Sequence, residues 1–177
     1  MRAILTAVTA IGLSGCGQRT PAPEPALPEP AAFAAWPRVT DRPVPVHAAF
    51  WAWCREPTPD EKAALEKHGP HGGGFIVVRV SPEAIEAFRD GRPLPVGAIV
   101  IKEKYADEAA AGPLLGYTVM LKREVGYAPD GGDWEYADIS LAAEGRESRG
   151  RLATCAGCHA SERDRDYLFR TYAPVGR

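Results

Sequence analysis

Near the end of the 177-residue chain, Thr154-Cys155-Ala156-Gly157-Cys158-His159 places two thiols around a two-residue spacer and an imidazole directly after the second. A Cys-x-x-Cys-His run suits covalent attachment of heme. Each cysteine can add across one vinyl group, and the adjacent histidine can reach the iron from the same side. Three other chemistries use cysteines at this spacing. A thioredoxin-like pair opens a helix early in a βαβ unit, whereas this pair lies near the C-terminus. A structural zinc site takes four ligands, and no second Cys or His pair stands at matching spacing. A plain disulfide would leave His159 without a role. The reading that follows is one heme c, with Cys155 and Cys158 as attachment points and His159 as the axial iron ligand and sole metal-binding residue.

The other end of the chain bears on compartment. Arg2 precedes an apolar run from Ala3 to Leu13, too short for a stable membrane span and shaped like the core of a signal peptide. It runs into Leu13-Ser14-Gly15-Cys16, which resembles the lipobox of bacterial lipoproteins, in which the cysteine becomes the first residue and carries lipid. Residues 1–15 are therefore expected to be a signal peptide and Cys16 the lipidation site. Gly17, rather than Asp, leans toward the outer membrane by the same resemblance. Residues 16–40 are rich in proline and lack apolar periodicity, which predicts an extended tether. Residues 41–177 form one heme domain of about 135 residues, an ordinary domain size. The whole chain carries 21 Lys and Arg against 23 Asp and Glu, and without Arg2 the balance is 20 against 23, or −3. That balance gives no reason to expect nucleic acid as a partner. An exported chain also suits c-type heme, which is attached outside the cytoplasm.

The elements that must position the motif can be read from pattern. Thr58, Pro59 and Glu61 make a capping-box start for a helix that Gly69 and Pro70 stop. A second short helix runs from a Ser81 cap through Pro82 to Gly91. Strands are expected over 75–80 ("FIVVRV"), 98–105 ("AIVIKEKY"), 114–124 ("LLGYTVMLKRE") and from Trp134 ("WEYADISL"), with a turn at Pro129-Asp130-Gly131-Gly132. Strand alternation puts Ala98, Val100, Lys102 and Lys104 on one face, and Ile99, Ile101, Glu103 and Tyr105 on the other. The segment around the motif reads as helical. The fold class is α+β, an antiparallel sheet with flanking helices and a C-terminal heme segment.

Position then separates heme proteins. Small electron carriers place the motif near the start with a methionine ligand far downstream, yet only 18 residues follow His159 and none is Met. Helical-bundle cytochromes of the c-prime type carry a C-terminal motif, but the β-rich runs contradict an all-helical body. From His71 onward the chain resembles the cytochrome P460 family. The stretches that carry the likeness are "GPHGGGFIVVRVSPEAIEAF", "LPVGAIVIKEKY", "YTVMLKREVGYAPDGGDWEYADI" and "GRLATCAGCHASERDRDYLF", in the family's order.

The resemblance implies an antiparallel sheet bearing a C-terminal c heme, often in a homodimer. It also implies redox chemistry on small nitrogen species, hydroxylamine or nitric oxide. In the P460 proteins themselves a lysine is bonded to the heme ring. Their relatives, the beta-type c-prime cytochromes, lack that bond and bind nitric oxide behind an apolar cap. The family's lysine falls on Lys102, with Lys104 in reserve. A basic residue of the preceding strand falls on Ile76, and the distal carboxylate falls between Met120 and Glu124. The expected partners are thus a small nitrogen species or diatomic gas, an electron-transfer protein, a membrane through the lipid alone, and a second copy of the chain. The rival class is a gas-binding or electron-passing module.

Other residues have plainer readings. His68 and His71 suit a helix end and a loop. Met120 and the aromatics Trp134 and Tyr136 suit the core. Cys54, between Trp53 and Arg55, suits a buried apolar position. Arg163, Asp164, Arg165 and Asp166 read as a solvated helix face, with one arginine available to a heme propionate.

Overall fold

The computed structural model describes residues 24–46, 74–110, 112–141 and 147–170. Six strands, β1 (Val44–Val46), β2 (Gly74–Val80), β3 (Ile99–Tyr105), β4 (Gly116–Lys122), β5 (Trp134–Ser140) and β6 (Glu147–Gly150), pair in sequence order. Every pairing is antiparallel. The expected antiparallel α+β fold is the fold observed.

Because side chains alternate across a strand, the sheet has two faces, and both are buried. Register aligns Val80, Val100, Met120 and Tyr136 across four strands, and Val78, Lys102, Thr118 and Asp138 in the neighbouring row. This front face holds the larger core, with Ile76, Val78, Val80, Ala98, Val100, Met120, Trp134 and Tyr136. The connection from β2 to β3 covers part of it. Pro82–Ala84 forms a single 3-10 turn that runs into α2 (Ile85–Arg89), burying Ala84, Ile85, Ala87 and Phe88. Ser81 does not cap that helix with its side chain. Its hydroxyl accepts instead from the Ile99 N–H at 3.1 Å, tying the connection to β3.

The back face is closed by residues placed in the expected tether. A short helix, α1 (Pro30–Phe33), drives Phe33 onto Ile101, Tyr117, Val119 and Ala137, with Leu27 and Trp36 packed around it. Polar anchors reinforce this strap. Arg149 Nη2 donates to the Pro25 carbonyl at 2.7 Å, and Arg79 Nη1 donates to the Trp36 carbonyl at 2.9 Å. Val39 and Thr40 are buried as well. Proline composition predicted an extended tether up to residue 40. Three large apolar side chains reverse that over its second half, because burying them offsets the ordering entropy that proline has already reduced.

Two buried acids lie on the back face. Glu103 pairs with Arg79 at 2.7 Å. Glu135 accepts from both Arg123 and Arg149. Burial alone would raise the Glu135 carboxyl, but the two guanidiniums outweigh it and hold the group below its ordinary value. Among the described residues no helix is long and apolar enough to cross a membrane. Cys16, Cys54, His68, His71 and the helix expected from Thr58 lie outside the described residues.

Candidate functional site

The chain turns out of β6 into α3 (Ala153–His159), which carries the whole Cys-x-x-Cys-His run. Leu152, Cys155 and Ala156 pack against the front core. Their spacing of three and four is that of one helix face, and His159 continues it. The imidazole is thereby turned toward the sheet. Its ring lies 5.4 Å from that of Tyr136 and 5.0 Å from that of Phe169, centroid to centroid. Cys155 and Cys158 are partly buried thiols one turn apart.

The segment after the helix fixes the imidazole. His159 Nδ1 lies 2.6 Å from the Tyr167 carbonyl. A carbonyl can only accept, so Nδ1 carries the hydrogen and the lone pair is left on Nε2. That is the tautomer a metal-binding histidine needs, with its orientation set from behind. Burial lowers the proton affinity of this ring; the Tyr167 contact works against that, and the positive charge of Lys102 adds to it. The net shift is downward, so the ring is held neutral and able to coordinate.

Presenting the Tyr167 carbonyl requires an unusual backbone. Asp166 and Tyr167 have φ of 59° and 61°, two successive left-handed residues without a glycine. Such a conformation persists only where its surroundings over-determine it. Asp166 Oδ1 pairs with Lys122 Nζ at 2.5 Å, and Oδ2 accepts from the Leu94 N–H at 2.8 Å. The Asp166 carbonyl accepts from Trp134 Nε1 at 2.9 Å. The Tyr167 hydroxyl donates to the Asp130 carbonyl at 3.0 Å, and its ring fills the space above Gly132, where a Cβ would overlap it. Asp166 is thus no member of a solvated helix face. The helix has ended, and the carboxylate turns inward with 9% of its side chain exposed. Arg163, Asp164 and Arg165 do stand in solvent, Arg165 pairing with Glu162 at 3.0 Å.

The remaining candidates sort by face. Lys102 is on the front face between Val78 and Thr118, within electrostatic reach of His159. Glu103 is on the back, so the two are separated as alternation requires. Lys104 shares the Lys102 face but holds Asp138 Oδ1 at 2.7 Å. Ile76 and Met120 are buried in the front core. Glu124 lies exposed beyond the end of β4. Sequence reading missed Asp166, Tyr167 and Lys122 as the support of His159. The one available signal was the Gly131-Gly132 turn, because the contact it serves is a backbone carbonyl and a ring without chemistry of its own.

The residues present fit a covalent heme. Two thiols and a neutral, oriented imidazole sit on one partly buried helix, facing the front of the sheet. Beside them the Tyr136 hydroxyl is buried without a hydrogen-bond partner. The family model for cytochrome P460 matches residues 53–170, most of the chain and the whole of this site. No curated protein matches it.

Proposed function

The chain belongs to the cytochrome P460 family, and from that premise, which makes it a mono-heme cytochrome, we propose that it is an exported heme c protein acting on small nitrogen species. Cys155 and Cys158 hold the heme through thioether bonds and His159 binds the iron through Nε2. The observation that carries this reading is the 2.6 Å contact of His159 Nδ1 with the Tyr167 carbonyl, which leaves Nε2 as the coordinating atom. When bound, heme supplies an iron centre that takes up small ligands and exchanges electrons.

The chain's own residues do the rest. Phe169 and Tyr136 clamp the imidazole from its sides. Ile76, Val78 and Val100 keep water from the front face. The position of Lys102 on that face, within electrostatic reach of His159, supports it as the residue that would bond the ring. The substrate class is hydroxylamine or nitric oxide, with electrons passed to a separate protein and Cys16 carrying the lipid that keeps the domain on the periplasmic side of a membrane.

A second reading, reversible binding of a diatomic gas, is favoured by one feature. The position of the family's basic residue is Ile76, buried in the apolar core, and Glu124 is exposed rather than turned into the site. An apolar residue in place of the family's basic one, with Glu124 turned to solvent, suits ligand binding better than hydroxylamine oxidation.

Expression with a cytochrome c maturation system tests the common core of both readings. Heme should stay with the denatured polypeptide, and Cys155→Ala with Cys158→Ala should remove it. A wild-type chain that carried zinc and no covalent heme would end both. In the same cells Cys16→Ala should move the protein from the membrane to the soluble periplasm.

A further inference from the structure

The turn that offers the Tyr167 carbonyl is fixed at both of its peptide groups. The peptide joining Asp166 to Tyr167 accepts from Trp134 Nε1 at 2.9 Å through its carbonyl and donates to the Glu162 carbonyl at 2.8 Å through its N–H. The peptide joining Tyr167 to Leu168 donates to the Arg165 carbonyl at 3.2 Å and gives its own carbonyl to His159 Nδ1. The two donated bonds run back to the segment directly after His159. They close the turn, but they do not fix it against the sheet.

The Asp166 side chain supplies that tie, together with Trp134. One carboxylate oxygen takes Lys122 Nζ, from the last residue of β4, at 2.5 Å, and the other accepts from the Leu94 N–H at 2.8 Å. Lys122 Nζ also lies 4.7 Å from the centre of the Trp134 ring, whose N–H holds the Asp166 carbonyl. Cation, carboxylate and indole thus grip one residue from three directions. The ion pair is nearly closed to water, with 14% and 9% of the two side chains exposed.

A buried ion pair is a poor device for stability alone, because desolvation offsets much of the attraction. Two successive left-handed residues without glycine add a further cost. An apolar pair of similar size would hold the segment down more cheaply. What the charges add is a defined place for the carboxylate, and with it for the carbonyl of the next residue.

We infer that Lys122 and Asp166 are positioning residues for the iron site, their ion pair fixing the Tyr167 carbonyl against the Nδ1 hydrogen of His159 and so setting how strongly Nε2 donates to the iron. The inference rests on the heme reading above. It adds that the sheet, through the end of β4, governs the electronic character of a group attached to α3. A firm bond at Nδ1 leaves more negative charge on the ring and makes Nε2 the better donor. A better donor favours the oxidised metal, so the pair holds the potential down.

Asp166→Asn and Lys122→Met in the heme-loaded protein test this. Each should raise the midpoint potential and lower the iron–histidine stretching frequency of the ferrous form in resonance Raman. The double variant should go no further than the larger single shift, since the two residues act as one unit. Phe33→Ala is the control, because it weakens the fold from the back face and should leave both readings where they are. Should Asp166→Asn not fold, Lys122→Met decides alone, its apolar stem still packing over Trp134. A wild-type potential and frequency in Lys122→Met, or equal shifts in Phe33→Ala, would overturn the inference and leave the ion pair a matter of stability. Absence of covalent heme from the wild type would instead end the function reading itself.

Discussion

The imidazole of His159 is held by the backbone of a residue eight positions later, its Nδ1 donating to the Tyr167 carbonyl at 2.6 Å. Asp166 and Tyr167 can offer that carbonyl only from the left-handed region, and Lys122, Leu94 and Trp134 hold Asp166 there. The His159 imidazole is thus oriented by strands β4 and β5 as much as by its own helix.

Gly132 is the hinge pin of that support. It has φ of 65°, and an added Cβ would overlap the Tyr167 ring. Gly132→Ala is expected to destabilise the protein by about 2–4 kcal/mol, combining left-handed strain with overpacking. Displacing Tyr167 should also loosen His159. Denaturant unfolding gives the first effect, and a changed iron-ligand vibration in the loaded protein gives the second. A variant altered in stability alone would show that the imidazole does not depend on Tyr167.

Glu135 sets an acid limit. Its carboxyl is held below the ordinary value by Arg123 and Arg149, against the upward push of burial. The unfolded chain therefore binds the proton more readily, so this contribution is present above the unfolded value of about 4.3 and is lost as pH falls through the folded one. Glu135→Gln should cost about 3 kcal/mol at neutral pH, since it leaves two guanidiniums without their buried partner. It should also flatten the fall in stability below pH of about 4.5. An acid limb as steep as that of wild type would assign the limit to another carboxylate.

Phe33 tests the strap. It is 1% exposed and sits against the back core. Phe33→Ala should cost about 3–4 kcal/mol through the cavity it leaves. The front face lies across the sheet, so the heme spectrum should not change. Equal stability of variant and wild type would mean that the strap is not docked in solution.

Lys102 separates enzyme from gas binder. It shares the front face with Val78 and Val100, and its charge is felt at His159. The expected result is a heme peptide that also contains the Lys102 strand in mass spectrometry, with a ferrous band well to the red of ordinary c heme. Lys102→Met should return an ordinary spectrum and abolish hydroxylamine oxidation while keeping nitric oxide binding. An ordinary spectrum in wild type, unmoved by the substitution, would favour the gas-binding reading.

What could be read in advance follows from how each feature is encoded. Strands β2 to β5 are written in β-branched and alternating apolar residues, and the two faces of β3 were separable from parity alone. The edge strands were not visible. β1 contains Pro45, which removes a ladder donor and confines a strand to an edge, and the Glu-Ser-Arg-Gly of β6 has no apolar alternation. The strap was hidden because proline content argues for extension while saying nothing of Leu27, Phe33 and Trp36 meeting one surface. The Cys155-x-x-Cys158-His159 run stood out in the sequence since thioether chemistry would demand fixed side chains at fixed spacing. Tyr167 did not, because any residue could supply its carbonyl, and Asp166 was masked by the alternating charges before it.

The strap also sets how far the domain can stray. Its first anchored carbonyl is Pro25, held by Arg149 at the β6 edge of the sheet. Cys16 is eight residues before Glu24, which at full extension spans about 28 Å. If Cys16 carries lipid, as proposed, that length is the upper bound on the distance from the lipid to Glu24. The β6 edge, where Arg149 holds the Pro25 carbonyl, would then be the part of the fold tied nearest to the lipid.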